Sequence, residues 1–331
     1  MATLATSVQT LADHARMLDP DGKVDMIVDT ITERNDILED MVWKEGNLPT
    51  GELTTVLTGL PSVAWRMLNY GYQPSKMTTK QVTDTCGMLG TFGEVDKDIA
   101  NLNGNTAEYR MKQDAKRLKA LGQEFASTFF YGNTDTAPEE FLGLTPRYSS
   151  KSADNGANIL LGGGSGADNT SLWLLTFGEE EGGYGIFPKG SKAGIEATDL
   201  GQQVLTDAAG GKYLGFQNHY QWKCGYTMKN WKYNVRIPNI DVSDLTYNGA
   251  TGAKLIDLMV QAIHRNEDVA AGKTAFYCNR TILSFLDRQT LNQSNMNVTY
   301  KEGPHGERVT MFRGIPVRRC DALVENESLV S

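Results

Sequence analysis

One long helix, predicted over residues 107–131, constrains this fold more than any other feature of the sequence. Asn105 and Glu108 have the spacing of a capping box at its start, and at 1.5 Å per residue the helix is a rod of roughly 37 Å. Apolar residues recur along it at intervals of three and four, which indicates one buried face: Met111, Ala115, Leu118, Gly122, Phe125 and Phe129. We therefore predict a spine laid across a domain, whose core residues are Met111, Leu118, Phe125 and Phe129.

The composition is that of a globular protein. The chain has 331 residues, of which 40% are hydrophobic and 22% charged, enough for two ordinary domains or one large one. No apolar run approaches the roughly 18 residues that a membrane span needs. The first ten residues lack a signal-peptide pattern, so we expect the chain in the cytosol. The net charge of −8 argues against a regulator that grips DNA through its phosphates, but not against a container for DNA.

Residues 1–45 are predicted to form an arm with two short helical pieces. Two apolar stripes at helical spacing are separated by a turn at residues 19–22: Val8, Leu11, Ala15 and Leu18, then Val24, Ile27, Val28 and Ile31. Neither piece is long enough to bury a core by itself. The arm is therefore expected to pack on another surface.

Residues 46–90 read as strands joined by turns. The β-prone stretches are 52–58, 63–70 and 77–85, with turns at 59–62 and 71–75. They carry little continuous apolar content, and a two-stranded extension is only marginally stable unless it lies on another surface.

Beyond residue 146 short strands alternate with glycine turns. A helix is predicted within residues 252–268, because apolar side chains share one face there: Leu255, Leu258, Met259, Ala262 and Ile263. Residues 275–278 read as a strand, 280–289 as a short helix and 298–323 as returning strands.

Three local patterns suggest chemistry, and each has a simpler explanation. Residues 162–167 match a dinucleotide fingerprint, but that site needs a helix to follow, and residues 171–177 read as a strand. Gly272-Lys273-Thr274 resembles a phosphate loop, yet Glu267 stands where its first glycine should be. Glu179, Glu180 and Glu181 form an acidic turn.

The four cysteines, Cys86, Cys224, Cys278 and Cys320, lie too far apart for a zinc site. We predict no catalytic, cofactor-binding or metal-binding residue, and no cofactor.

The flanks of the spine and several later phrases, taken in order, resemble one family. They are residues 10–18, 35–43, 58–105 and 130–148, then GIFPKGS at 185–191, NWKYNVRIPNID at 230–241 and MFRGIPVRRCDAL at 311–323. Together they resemble the major capsid proteins of short-tailed (podovirus-type) double-stranded DNA bacteriophages. The resemblance implies the α+β Hong Kong 97-like fold in five parts: an N-terminal arm (1–45), an extended β-hairpin loop (46–90), a peripheral domain with the spine helix (91–145), an axial domain (146–268) and a return to the peripheral domain (269–331).

The resemblance implies a structural protein, not an enzyme, that self-assembles into an icosahedral virion shell in the host cytoplasm. The expected partners are copies of itself in pentamers and hexamers, a scaffolding protein, a portal, a cement protein and packaged double-stranded DNA bound without sequence preference, with no membrane. In the loop, Trp65, Arg66, Tyr70 and Tyr72 are the candidate contacts between subunits, because such residues dominate interface energetics. The alternatives are a same-fold bacterial nanocompartment and a soluble nucleotide-dependent enzyme.

Overall fold

A computed structural model describes residues 34–101, 106–207, 209–246, 251–292, 298–302 and 308–331. Both predicted stripes of the arm, and Asn105, lie outside these ranges.

Twelve strands and six α-helices make up the described part of the chain. The strands are β1 (Trp43–Glu45), β2 (Gly51–Gly59), β3 (Thr78–Asp96), β4 (Asn169–Phe177), β5 (Gly183–Phe187), β6 (Ile195–Thr206), β7 (Lys212–Met228), β8 (Val235–Asp241), β9 (Lys273–Cys278), β10 (Val298–Glu302), β11 (Arg308–Phe312) and β12 (Ile315–Arg319). The helices are α1 (Ile37–Asp40), α2 (Lys97–Asn101), α3 (Thr106–Tyr131), α4 (Leu144–Arg147), α5 (Leu255–Arg265) and α6 (Arg280–Asn292).

The strands join in the order β10-β11-β12-β9-β4-β5-β7-β3-β2, with β1 beside β5, β6 beside β7 and β8 beside β4. The antiparallel ladder β3–β7 runs without a break from Cys86↔Gly225 to Asp96↔Gly215. This ladder links the hairpin β2–β3 at one edge of the sheet to its interior.

Strand β4 separates two cores because successive side chains of a strand point to opposite faces. Trp173 and Leu175 pack with the C-terminal half of α3. Leu172 and Leu174 pack on the other face with residues of α5 and α6. All nine residues of β4 are buried, so this strand is covered on both sides.

The spine helix α3 packs on the sheet through different contacts at its two ends. Aromatic rings make the contact near its C-terminal end. Phe125 stacks on Trp222 of β7 with ring centroids 4.7 Å apart, and Phe129 meets Tyr226 edge-on at 4.8 Å. Towards the start of the helix the contacts are mixed. Tyr109 is buried against Val95 and Ala100. Asn218 of β7 accepts a hydrogen bond from Arg110 and donates one to Asp114, both 2.8 Å long.

The core of the spine therefore differs from the prediction in its first half. Phe125 and Phe129 are fully buried, whereas Met111 and Leu118 are 72% and 40% exposed. The reason is that Arg110 and Asp114 face the sheet, which leaves the apolar stripe of this half directed away from it.

Other local predictions are confirmed with small shifts of their ends. Strands β2 and β9 and helices α5 and α6 lie where the sequence placed a strand or a helix. In α5, Leu255, Met259 and Ala262 are buried.

Two further predictions are wrong. Residues 63–70 form no strand but an irregular tip with a turn, closed by a hydrogen bond of 3.2 Å from Tyr70 N to Met67 O. Strands β6 and β7 are long, with 12 and 17 residues, not short. Gly201 lies within β6 as a bulge and not in a turn between short strands: its φ is 71°, and the register shifts between Asp199 and Gly201.

Phe125→Ala should destabilise the unassembled subunit by roughly 3–5 kcal/mol, because it opens a cavity where α3 meets β7. The measurement is urea unfolding followed by circular dichroism. Phe92→Ala is the matched control, since Phe92 on β3 is 56% exposed and its loss should change stability by less than about 1 kcal/mol. Equal losses for the two variants would contradict this account of the core.

Candidate assembly surface

The hairpin β2–β3 carries the largest set of exposed apolar side chains in the described part of the chain. Its strands pair from Gly51↔Thr85 to Gly59↔Thr78, and residues 60–77 form the tip. Nine large apolar side chains on it are at least half exposed: Leu57, Leu60, Val63, Trp65, Met67, Leu68, Tyr70, Tyr72 and Met77. Clusters of this kind on soluble proteins mark interaction sites.

The structure brings three of the four predicted contact residues together. The Arg66 guanidinium lies 5.6 Å from the centre of the Tyr72 ring and donates a hydrogen bond of 3.2 Å to the carbonyl of Tyr70. Trp65 is fully exposed. Arg66 thus organises the tip locally, while Trp65 presents its whole indole to solvent.

The root of β2 is held by a buried glutamate. Glu52 accepts a hydrogen bond of 2.7 Å from the backbone of Asn47 and one of 3.2 Å from the hydroxyl of Tyr184 in β5. Burial, together with the negative charge of Glu52, raises the pKa of Tyr184, so this phenol remains a proton donor to Glu52. Beside it Gly51 approaches β3 closely: a Cβ there would lie 1.9 Å from the carbonyl oxygen of Asp84.

The root of β3 is held by a buried ion pair. Arg147 of α4 donates to Asp84 over 2.8 Å, with side-chain exposures of 9% and 3%. Thr227 of β7 donates to the second oxygen of Asp84 over 2.7 Å. Arg147 also donates to the backbone carbonyls of residues 142 and 143.

These root residues were missed by the sequence reasoning. The available signals were an aspartate within a threonine-rich strand and an arginine after Pro146, and neither indicates its partner.

The two nucleotide-binding patterns do not form such sites. Strand β4 follows the glycines at 162–167, and β9 begins at Lys273, so neither pattern opens the helix that phosphate binding needs. Within the described ranges, no group of three or more histidine, cysteine or acidic residues is placed to hold a metal ion. No helix in that part of the chain is long and apolar enough to cross a membrane.

Cys86 and Cys224 lie close together in the sheet but on opposite faces. Cys86 is opposite Gly225, and Cys224 is opposite Gly87, so the two side chains point to opposite sides. Burial raises the pKa of Cys86 to about 11 and that of Cys224 to about 12. These thiols are therefore neutral and unreactive near neutral pH.

A spine helix on a sheet from which a long hairpin extends matches the arrangement that the resemblance to Hong Kong 97-like capsid proteins implied. The chain belongs to the major capsid protein GP7 family, whose model matches residues 19–331. The capsid structure of bacteriophage Epsilon15 is 32% identical to this chain, with a TM-score of 0.79, and the match covers 100% of this chain and 99% of that one. The predicted family, fold and function are therefore confirmed: this is a capsid protein of tailed-phage type that self-associates into the virion shell.

Two further structures are more distant. An encapsulin of Synechococcus elongatus is 11% identical, with a TM-score of 0.46, over 72% of this chain and 98% of that one. The capsid of bacteriophage JBD30 is 7% identical, with a TM-score of 0.44, over 89% and 93%. The encapsulin similarity does not favour the nanocompartment alternative. No curated protein sequence matches the chain.

Arg147→Ala should destabilise the unassembled subunit by about 3–5 kcal/mol, because it leaves the Asp84 carboxylate buried without its counter-charge. Replacing both residues, as Asp84→Leu with Arg147→Met, should recover much of that loss, since no unpaired charge then remains. Lys44→Ala is the control: Lys44 pairs with Glu179 at the surface, so the urea midpoint should hardly move. A double variant no more stable than Arg147→Ala would contradict the paired-charge explanation.

Proposed function

We propose that the chain assembles into pentamers and hexamers that close into an icosahedral shell around double-stranded phage DNA, with the hairpin β2–β3 as the clamp between subunits. The observation that carries this proposal is the hairpin itself: its apolar and aromatic side chains contact little of their own chain. Electron microscopy of the purified protein, alone and with candidate scaffolding protein, tests it directly, because closed shells or capsomer rings are the expected particles.

The physical mechanism is repeated contact under closed symmetry. A two-stranded extension gains stability when it lies on another surface, and nine exposed apolar side chains offer that surface a hydrophobic contact. Each contact can be weak on its own, because a subunit held by several neighbours is retained by their combined effect. Trp65, Arg66, Tyr70 and Tyr72 are the proposed contact residues.

We further propose the remaining partners from the chemistry of the chain. A net charge of −8 suits an inner wall that releases DNA as it slides past during packaging, without sequence-specific binding. A scaffolding protein, a portal and a cement protein complete the assembly, which takes place in the host cytoplasm. The role is structural, without enzymatic activity or a cofactor.

We also propose the division of the chain into structural units. They are an arm (1–45), an extended loop (46–90), a peripheral domain (91–145 and 269–331) and an axial domain (146–268). The hairpin and the spine support the second and third of these units. The long β7 pairs with β3, so part of the sequence assigned to the axial domain also builds the sheet beneath the spine.

Trp65→Ala should leave the subunit folded but yield few or fragile shells. Trp65 is fully exposed within its own chain, whereas a truncated interface anchor typically costs about 2 kcal/mol or more, and here every subunit loses it. Circular dichroism reports folding, and sedimentation reports shells.

Lys76→Ala, an exposed change in the same loop without loss of aromatic surface, serves as the assembly control for that comparison. If Trp65→Ala assembles as well as Lys76→Ala does, the tip is not the clamp. If it lowers the melting temperature of unassembled subunits as much as Phe125→Ala does, the loop belongs to the folded core.

Mature particles boiled in detergent should release single chains. The motifs resemble the short-tailed phage group and not those relatives whose subunits are joined by lysine–asparagine bonds, so we expect one band at the single-chain mass in gel electrophoresis. A ladder of multimers would show that covalent joining occurs.

A further inference from the structure

The first half of the spine helix presents an apolar stripe that the described part of the chain leaves uncovered. Met111 is 72% and Leu118 40% exposed, and Ala115 between them is exposed as well. Their spacing of four and three places them on one side of α3. We call these three residues the spine stripe.

The spine stripe ends beside the point where the N-terminal segment joins the body. A Cβ at Gly122, one turn beyond Leu118, would lie 3.7 Å from the side chain of Leu38 in α1. The backbone of Arg34 donates a hydrogen bond to Asp321, and Asn35 bridges to Cys320. Residues 1–33 therefore lead into a point anchored only four residues before Leu38.

The sequence immediately before that anchor matches the stripe in length and pattern. Val24, Ile27, Val28 and Ile31 are spaced as one face of a helix, and eight helical residues extend about 12 Å. From Met111 to Leu118 the spine rises by about 10 Å. The chain continues from Ile31 to Leu38, which lies beside Gly122. A helix packed along the stripe would therefore place Ile31 near Leu118 and Val24 near Met111.

The charges beside the two apolar faces are opposite in sign. Lys112, Lys116 and Lys119 form a basic row next to the spine stripe, each one position beyond a stripe residue. Residues 19–33 contain five acidic side chains and one lysine, and two of the acids, Asp25 and Asp29, each follow a residue of the apolar face. Complementary charges of this kind set the register of a contact and disfavour other partners.

We propose that residues 24–31 form a helix whose apolar face packs on the spine stripe of the same chain. Residues 24–31 of the same chain are favoured over those of a second copy, because they are joined to the body only a few residues later, at Arg34. A segment tethered in this way has an effective concentration in the millimolar range. The contact is intramolecular and is tested on unassembled subunits, so it does not rest on the proposed clamp.

The test is a cysteine pair, Ile27→Cys with Ala115→Cys, oxidised by copper–phenanthroline and air in dilute, unassembled protein. The matched control is Ile27→Cys with Ala120→Cys, because Ala120 is also exposed but lies on another side of the helix. Three of the native thiols are buried and Cys86 is half-buried, and a parent carrying only Ile27→Cys corrects for their oxidation. Thiol counting and non-reducing gels are the readouts.

An intrachain disulfide that forms at least tenfold faster for the 27/115 pair than for the 27/120 pair is the expected result. Interchain dimers, confirmed by mixing the two singly substituted chains, would overturn the proposal in favour of a second copy as the occupant. Equal rates for both pairs, or no disulfide in either, would overturn docking on the stripe.

Hydrogen–deuterium exchange on the chain without cysteine substitutions gives an independent reading. Amides of residues 24–31 should exchange at least tenfold more slowly than in an unfolded chain. Met111→Asp with Leu118→Asp should abolish that protection while leaving the amides of 125–130 unchanged. Unprotected amides at 24–31, or protection that survives the double substitution, would overturn the proposal.

Discussion

The packing of Phe125 and Phe129 on Trp222 and Tyr226 is the interaction on which the rest of this structure depends. Ring separations of 4.7 and 4.8 Å add roughly 0.5–1.5 kcal/mol per pair to the burial of the rings themselves. These contacts lie at one end of a 26-residue helix. The other end is held by polar contacts with Asn218 of β7 and by Tyr109, which is buried against Val95 and Ala100. The sheet beneath the spine is thereby held along its length, and the hairpin extends from that same sheet.

Buried charges then connect segments that are far apart in the sequence. Asp84 forms an ion pair with Arg147. Asp40 forms one with Lys273 and accepts a hydrogen bond from the hydroxyl of Tyr277. Arg236 and Glu327 are paired over 2.8 Å with almost no exposure, which fastens the last residues to β8. Desolvation offsets much of the Coulombic gain of a buried pair. A misplaced segment would nevertheless leave a charge buried alone, which is strongly destabilising.

Local periodicity correctly predicted those helices and strands whose type is decided by their own sequence and not by the segments they pack against. The spine, α5, α6, β2 and β9 follow from spacing, turns and β-propensity, and the ordered phrases led to the right family. The predictions that failed concern features decided by residues far away in the sequence. The exposed half of the spine could not be recognised because its face is decided by Asn218, about a hundred residues away. The lengths of β6 and β7 were missed because glycines such as Gly201 and Gly215 lie within these strands and not in turns. The ion pair between Asp84 and Arg147 could not be predicted, because neither residue has a local sequence pattern that indicates its partner.

A rigid root and an exposed tip suit the proposed role of the hairpin as a clamp between subunits. At the root, Glu52 and Asp84 each accept hydrogen bonds from groups outside their own strand, so the direction of the hairpin is set before any partner arrives. Preorganisation of this kind lowers the entropy lost on association. At the tip, contacts are few and local, such as Arg66 with Tyr70 and Tyr72, and side chains there can adjust to slightly different surroundings. In a closed shell the same hairpin occurs in every subunit, so a small gain from preorganisation at each root is multiplied over the whole assembly.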